Sequence, residues 1–301
     1  MDRGENFPYT GPIIDPFVQL VVDASDIELP TPREAFRDEE SLQNWPKSSL
    51  AGHLFPRDPE RDERDAISRD LELWLINLDR WGIRKAGIPL TTQTPNEVFD
   101  RLSEHNDRIF ATLRVNPHEG MHDIRRADEI FRKYPFVRSV SLTPFFFYPH
   151  IAPSQKEYYP VYSKCCELDR PIFINVGMPG PRVPGWTQDP MHLDEVCWFF
   201  PELRVIMRHG GHPWIETCVN MLLRWPNLYY ATTAYSPRYY PKQIMGLLRK
   251  RAPDKVMYAG YWPLLAYERI FAELAEFEMD ETTWSRFMYS NAVRAFGLES
   301  S

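Results

Sequence analysis

The sequence predicts an α/β protein, a (β/α)8 TIM barrel made by a single domain with a long insertion after its first strand. Three observations carry this. From residue 70 onward helical and strand patterns alternate; counting "PIIDPFVQL" as the first strand gives eight strand–helix units; and no Gly-rich dinucleotide or P-loop signature follows any strand. An open Rossmann sheet does not need so many units. A length of 301 residues suits one barrel with an insertion.

The elements follow in order. The first strand is residues 12–20, and a polar, Pro-rich stretch, residues 23–65, follows it as a candidate lid on the barrel face. Residues 66–81 carry Ile67, Leu71, Trp74, Leu75, Leu78 and Trp81 at helical spacing, and Gly82 stops that helix. The strand "KAGIPL" comes next, then a helix starting near Thr94-Pro95, the strand "RIFATLRVN" and the helix "MHDIRRADEIFRKY". "VRSVSLTP", "PIFINVG", "LRVIMRHGG", "LYYATTAY" and "KVMYAGYWP" supply the remaining strands, separated by the helices "YYPVYSKCCELD", "HLDEVCWFFP", "PWIETCVNMLLRWP" and "YPKQIMGLLRKRAP". Further helices run to the C-terminus.

Composition excludes several classes. The net charge of −7 is mild and basic residues are mixed with acidic ones, so no footprint for a nucleic-acid backbone is present. No apolar run approaches the roughly 18 residues of a membrane span, and the N-terminal "MDRGENFPYTG" lacks the apolar core of a signal peptide. A cytoplasmic protein acting on a small molecule is expected. The four cysteines, two of them the adjacent Cys165 and Cys166, fit reduced structural thiols better than a disulfide frame or a zinc knuckle.

In such a barrel, function sits at the C-terminal ends of the strands. Those ends carry Phe17 and Gln19, Arg114 and Asn116, Thr143, Asn175, His209, Thr233 to Tyr235, and Tyr261. His209 alone among them is a strong acid or base near neutral pH.

The stretches "IIDPFVQL", "RPIFINVGMPGPRVP", "FPELRVIMRHGGHPW" and "KVMYAGYWPLLAYERIFAEL", with "AYSPRYYP" and "NAVRAFGL", resemble the amidohydrolase superfamily. The branch is that of aminocarboxymuconate semialdehyde decarboxylase, resorcylate decarboxylases and related lactone hydrolases. The resemblance runs from Pro12 to Leu298 and implies a barrel whose metal is held by two histidines after strand one, one each after strands five and six, and an aspartate after strand eight. Transferred to this chain, those positions hold Phe17, Gln19, Asn175, His209 and Tyr261. Asp15 matches too, but precedes the ligands. A Phe side chain offers no ligand, and neutral amides and a phenol replace imidazole and carboxylate poorly, so neither a metal nor any other cofactor is expected. No lysine stands near "VSLTP" to bridge two metals. A displaced site using His209 with His212, or His150 with Tyr148, would still need an oriented supporting shell.

Two functions remain. In the first, a metal-independent enzyme uses His209 as general acid or base and Tyr261 as a second proton donor. Gln19 and Asn175 orient the substrate or hold an oxyanion, Thr143 and His212 contact it, and Phe17, Phe145, Phe146, Phe147, Tyr148, Tyr235, Tyr261 and Trp262 line a largely apolar pocket. Arg114 anchors a carboxylate, preferred to Arg208 because alternation puts Arg208 on the opposite face from His209. The chemistry would be decarboxylation, hydration or dehydration, carbon–carbon cleavage or lactone opening. The second function is a noncatalytic barrel that binds a ligand or stabilises an active paralogue. The resemblance favours a homodimer; a paralogous barrel subunit is the other arrangement.

Overall fold

The structure is a computed structural model in which residues 7–21, 33–43 and 59–298 are described. Eight parallel strands form one curled sheet in sequence order: β1 Ile13–Asp15, β2 Ile83–Thr91, β3 Ile109–Arg114, β4 Val137–Leu142, β5 Ile172–Asn175, β6 Val205–Arg208, β7 Leu228–Ala231 and β8 Val256–Met257. The helices that return the chain between and after them are α1 Leu71–Trp81, α2 Asn96–Ser103, α3 Met121–Lys133, α4 Tyr159–Glu167, α5 His192–Phe199, α6 Ile215–Arg224, α7 Lys242–Gly246 and α8 Tyr267–Leu274. This is the TIM barrel that the alternating pattern predicts.

Two elements depart from their sequence pattern for local reasons. The 66–81 helix is interrupted, because Asp70 caps a new start by accepting from the Leu73 amide at 3.0 Å; a separate helix, Arg61–Ile67, precedes it. Its end is as expected, with Gly82 at φ +65°. The first strand stops at Asp15, because Pro16 has no N–H to extend the ladder. The chain beyond it is held by isolated bonds, Val18 N to Gly87 O and Gln19 N to Trp262 O, both 2.9 Å.

Parallel strands buried on both faces sort their side chains into two layers. Outward residues such as Leu113, Val140, Ile174 and Met207 join the helices in one large core. Inward residues, among them Ile14, Phe110, Phe173, Ile206 and Met257, form a second core inside the barrel. Its floor is α9, Asn291–Phe296, whose Phe296 ring lies 5.1 Å from Phe110 and 5.4 Å from Phe173 near the strand starts. The N-terminal end is thus filled, which leaves the C-terminal end for chemistry. All four cysteines are free, with Cys165, Cys197 and Cys218 buried.

Asp15 ties β8 to β1. Its fully buried carboxylate accepts from the amides of Gly260 (2.8 Å) and Phe17 (3.2 Å) and from the hydroxyls of Tyr267 (3.0 Å) and Tyr258 (3.4 Å). The fit explains Gly260, where a Cβ would stand 2.4 Å from Asp15 Oδ2.

Of the expected 23–65 insertion, residues 33–43 and 59–65 are described. Ala35, Phe36 and Leu42 pack on Phe145, Phe146 and Val183, in the loops after β4 and β5. Arg64 donates from Nε to Pro263 O at 3.1 Å, in the loop after β8. Both pieces therefore rest on the C-terminal side of the barrel; the rest of the insertion lies outside the described residues.

Burial outweighs the four donors and raises the Asp15 carboxyl from 3.8 to about 6. A raised carboxyl contributes stability that is full below about pH 4 and is lost as pH climbs through about 6, roughly 3 kcal/mol in all. Asp15→Asn removes that titration. Urea unfolding should show the stability of the native protein, relative to the variant, falling by about 3 kcal/mol between about pH 4 and 6.5; a constant difference would mean that Asp15 does not titrate there.

Candidate active site at the strand ends

The inward positions one level above the barrel core are set by alternation. Phe173 and Ile206 point inward, so two residues later Asn175 and Arg208 do as well, and the two are register partners. Ser141, opposite Phe173 in the register, and Thr143, the next inward position past the end of β4, complete this set. Arg208 uses them all: Nε donates to Asn175 Oδ1, and Nη2 donates to Ser141 Oγ at 2.9 Å and Thr143 Oγ1 at 3.1 Å. Its guanidinium carbon lies 4.9 Å from the Phe17 ring centre and 4.6 Å from that of Phe173. The side chain is only 2% exposed, and Nη1 is buried with no hydrogen-bond partner among the described residues. Burial pushes the guanidinium down to about 9, with the nearby Tyr261 opposing and the Arg114 charge adding. It stays cationic at neutral pH.

His209 reaches the same space by breaking the pattern. Its φ of +71° reverses the chain where simple alternation would turn the ring outward. For a residue other than glycine this conformation costs about 1 kcal/mol or more, and such strain is concentrated at functional sites. Thr233 holds the arrangement: its Oγ1 accepts from the His209 amide at 2.8 Å and lies 2.7 Å from Nδ1. Nε2 has no hydrogen-bond partner among the described residues. Gly210 follows at φ +85°, where a Cβ would meet Tyr235 Cε2 at 2.1 Å, so the Tyr235 ring closes over a position that only glycine can fill.

Three rings meet above Arg208. Phe17 stacks on Tyr261 with centres 5.1 Å apart and planes at 12°, and the His209 ring stands edge-on to both at 5.2 Å. Burial first, then the Arg208 charge, hold the His209 imidazole well below its ordinary pKa, so it is neutral at pH 7. Burial also raises the Tyr261 phenol, which stays protonated.

Phe17, Thr143, Asn175, His209 and Tyr261 are thus brought together. His212 and Tyr235 form a neighbouring pair, rings 5.4 Å apart, beyond Gly210. Gln19 lies at the β1–β8 seam, its carbonyl accepting from Trp74 Nε1 at 3.1 Å. Arg114, two alternation steps past the inward Phe110, belongs to the inward set, and Arg208 belongs to it as well. Alternation does separate Arg208 from His209, but His209 joins that set through its left-handed backbone. Arg114, partly exposed at the end of β3, lies close enough for its charge to act on Arg208. Thr233 was visible at a strand end without a role; Ser141, a small hydroxyl within a strand, gave no signal.

The metal that the resemblance implies can be tested against these residues. Among the described residues no three His, Cys, Asp or Glu side chains are grouped so that they could hold a metal ion. A divalent cation at the Phe17 ring would lie 4.9 Å from the Arg208 guanidinium. At an effective dielectric near 20 that repulsion is roughly 7 kcal/mol. With a Phe ring, a phenol and an amide committed to Arg208 at the ligand positions, this donor set does not suit a divalent metal.

Solved structures share the fold over nearly the whole chain. An uncharacterized TIM-barrel protein from Bordetella bronchiseptica superposes with a TM-score of 0.73 at 17% identity, covering 96% of this chain and 99% of that one. The 5-carboxyvanillate decarboxylase of Novosphingobium aromaticivorans, solved with manganese and 4-hydroxy-3-methoxy-5-nitrobenzoic acid, gives 0.63 at 16% identity, covering 99% and 100%. The 2,6-dihydroxybenzoate decarboxylase of Rhizobium gives 0.62 at 14%, covering 97% and 100%. No curated protein matches the chain. The family model described as Amidohydrolase matches residues 50–298, most of the barrel, and the chain belongs to that family.

Proposed function

We propose that this barrel is a metal-independent enzyme of proton-transfer chemistry, and that decarboxylation of a hydroxylated aromatic acid is the reaction its site suits best. The observation that carries this is His209: neutral, locked by Thr233, with Nε2 uncommitted and its ring 5.2 Å from that of Tyr261. A neutral imidazole is a proton acceptor and a protonated phenol is a donor, so the pair offers both halves of a proton transfer at neutral pH. His209 takes the proton of a substrate hydroxyl, pushing electron density into the ring. Tyr261 protonates the carbon that bears the carboxylate; the new C–H bond forms, the C–C bond breaks, and its electron pair stays on the ring as CO2 leaves. His209 then returns a proton to Tyr261.

The relatives support the substrate class, since the similar structures include decarboxylases named for aromatic acids. They support nothing about metal independence, as the first of these was solved with manganese. That part rests on the donor set. Phe17, Phe173 and Tyr261 supply apolar walls for a flat ring.

The noncatalytic reading draws on a specific observation as well, because Phe17, His209 and Tyr261 are packed as a filled aromatic cluster would be. Turnover separates the two. Across a panel of hydroxybenzoates, His209→Asn should lower kcat by about 100-fold or more while the circular dichroism spectrum is unchanged; full activity in the variant would exclude His209 as the catalyst.

The pH profile provides a second check. Because the His209 pKa is lowered, the acid limb of kcat/KM should fall well below pH 6.5, with equal rates at about pH 6.5 and 7.5. A limb at or above about 6.5 would contradict the assignment. EDTA treatment followed by gel filtration should leave the rate unchanged, whereas activity restored only by added manganese or zinc would return the reaction to metal chemistry.

A further inference from the structure

We infer that Arg208 is the anchor of an anion-binding site, a fixed guanidinium in the strand-end ring that takes the carboxylate of a small aromatic molecule. The inference deepens the proposed function, resting on the reading that the small-molecule site lies at these strand ends, and it names the group that enters first.

Every hydrogen bond Arg208 makes goes to a neutral acceptor: an amide oxygen on β5 and two hydroxyls at the end of β4. No carboxylate pairs with it among the described residues, and the charged group that acts on it is another cation, Arg114. The interior carboxylate at the nearby seam, Asp15, is already engaged by four donors of its own. Buried charges are otherwise paired, so a buried guanidinium with only neutral partners is an incomplete site.

Geometry then selects the ligand. Nε is anchored to β5 and Nη2 to β4, which fixes the plane of the fork and leaves Nη1 as the uncommitted donor. A planar fork with an open N–H matches a carboxylate oxygen. The rings of Phe17 and Phe173 flank the guanidinium at 4.9 and 4.6 Å, and Phe17 stacks in turn on Tyr261. An acid whose carboxylate meets Nη1 would therefore lay an aromatic body among these rings, beside His209. Nη1 is buried, so the ligand reaches it by displacing a ring; Phe17, past the end of β1 and 8% exposed, is the candidate, since Phe173 is fully buried within β5.

Benzoate and its neutral isostere benzamide test this by isothermal titration on the full chain. Wild-type protein should bind benzoate at least about ten-fold more tightly than benzamide, and Arg208→Met should erase that preference while Arg208→Lys keeps part of it. Equal binding of the two probes, no benzoate binding at millimolar concentration, or an undiminished preference in Arg208→Met would overturn the site. If Arg208→Met fails to fold, the wild-type ratio together with the Arg208→Lys variant decides the matter. A clear benzoate preference in a protein that turns over no hydroxybenzoate would leave the anion site standing and remove the catalytic reading.

Discussion

The strand-end site depends on one buried cation. Arg208 sits inside the barrel with its guanidinium out of water, and burial is the largest cause of its lowered pKa. The residues around it answer that burial. Asn175, Ser141 and Thr143 supply neutral acceptors from two neighbouring strands, and Phe17 and Phe173 turn ring faces toward the charge. The same cation helps keep His209 neutral, which makes the imidazole a base and not an acid. Phe17 and Asn175, which look like losses when compared with histidines at metal-ligand positions, are the partners a buried arginine needs.

The frame holds this arrangement by closing the barrel elsewhere. Asp15 gathers two amides and two phenols at the β1–β8 seam, and Phe296 plugs the bottom against Phe110 and Phe173. With seam and floor fixed, Phe17 and Tyr261 at the β1 and β8 ends are set against each other, and the left-handed turn at His209 has a rigid wall to lean on. Strain at a single residue can be tolerated because the surroundings over-determine it.

Much of the fold was legible because it rests on periodicity. Near-continuous apolar runs such as "PIFINVG" and "LRVIMRHGG" mark strands buried on both faces, and Gly82 marks a helix end. His209 was legible as the titratable group near neutral pH at a strand end. Arg208 was not, because alternation counted back from His209 turns Arg208 outward, whereas the His209 backbone departs from the β region. A positive φ at a histidine leaves no trace in sequence, although the two glycines that follow it hint at an unusual turn. Asp15 stood out only as a match without a role; its work at the seam requires Gly260, Tyr258 and Tyr267, which lie more than two hundred residues away along the chain.

The central claim is that a guanidinium, and not a metal ion, supplies the positive charge at these strand ends. Its most direct test is the metal content of protein grown with added zinc and manganese and purified without chelator. The account predicts less than about a tenth of an equivalent of any transition metal per chain. Close to one equivalent, retained through gel filtration, would contradict it and would mean that the strand-end residues rearrange to hold a metal beside Arg208.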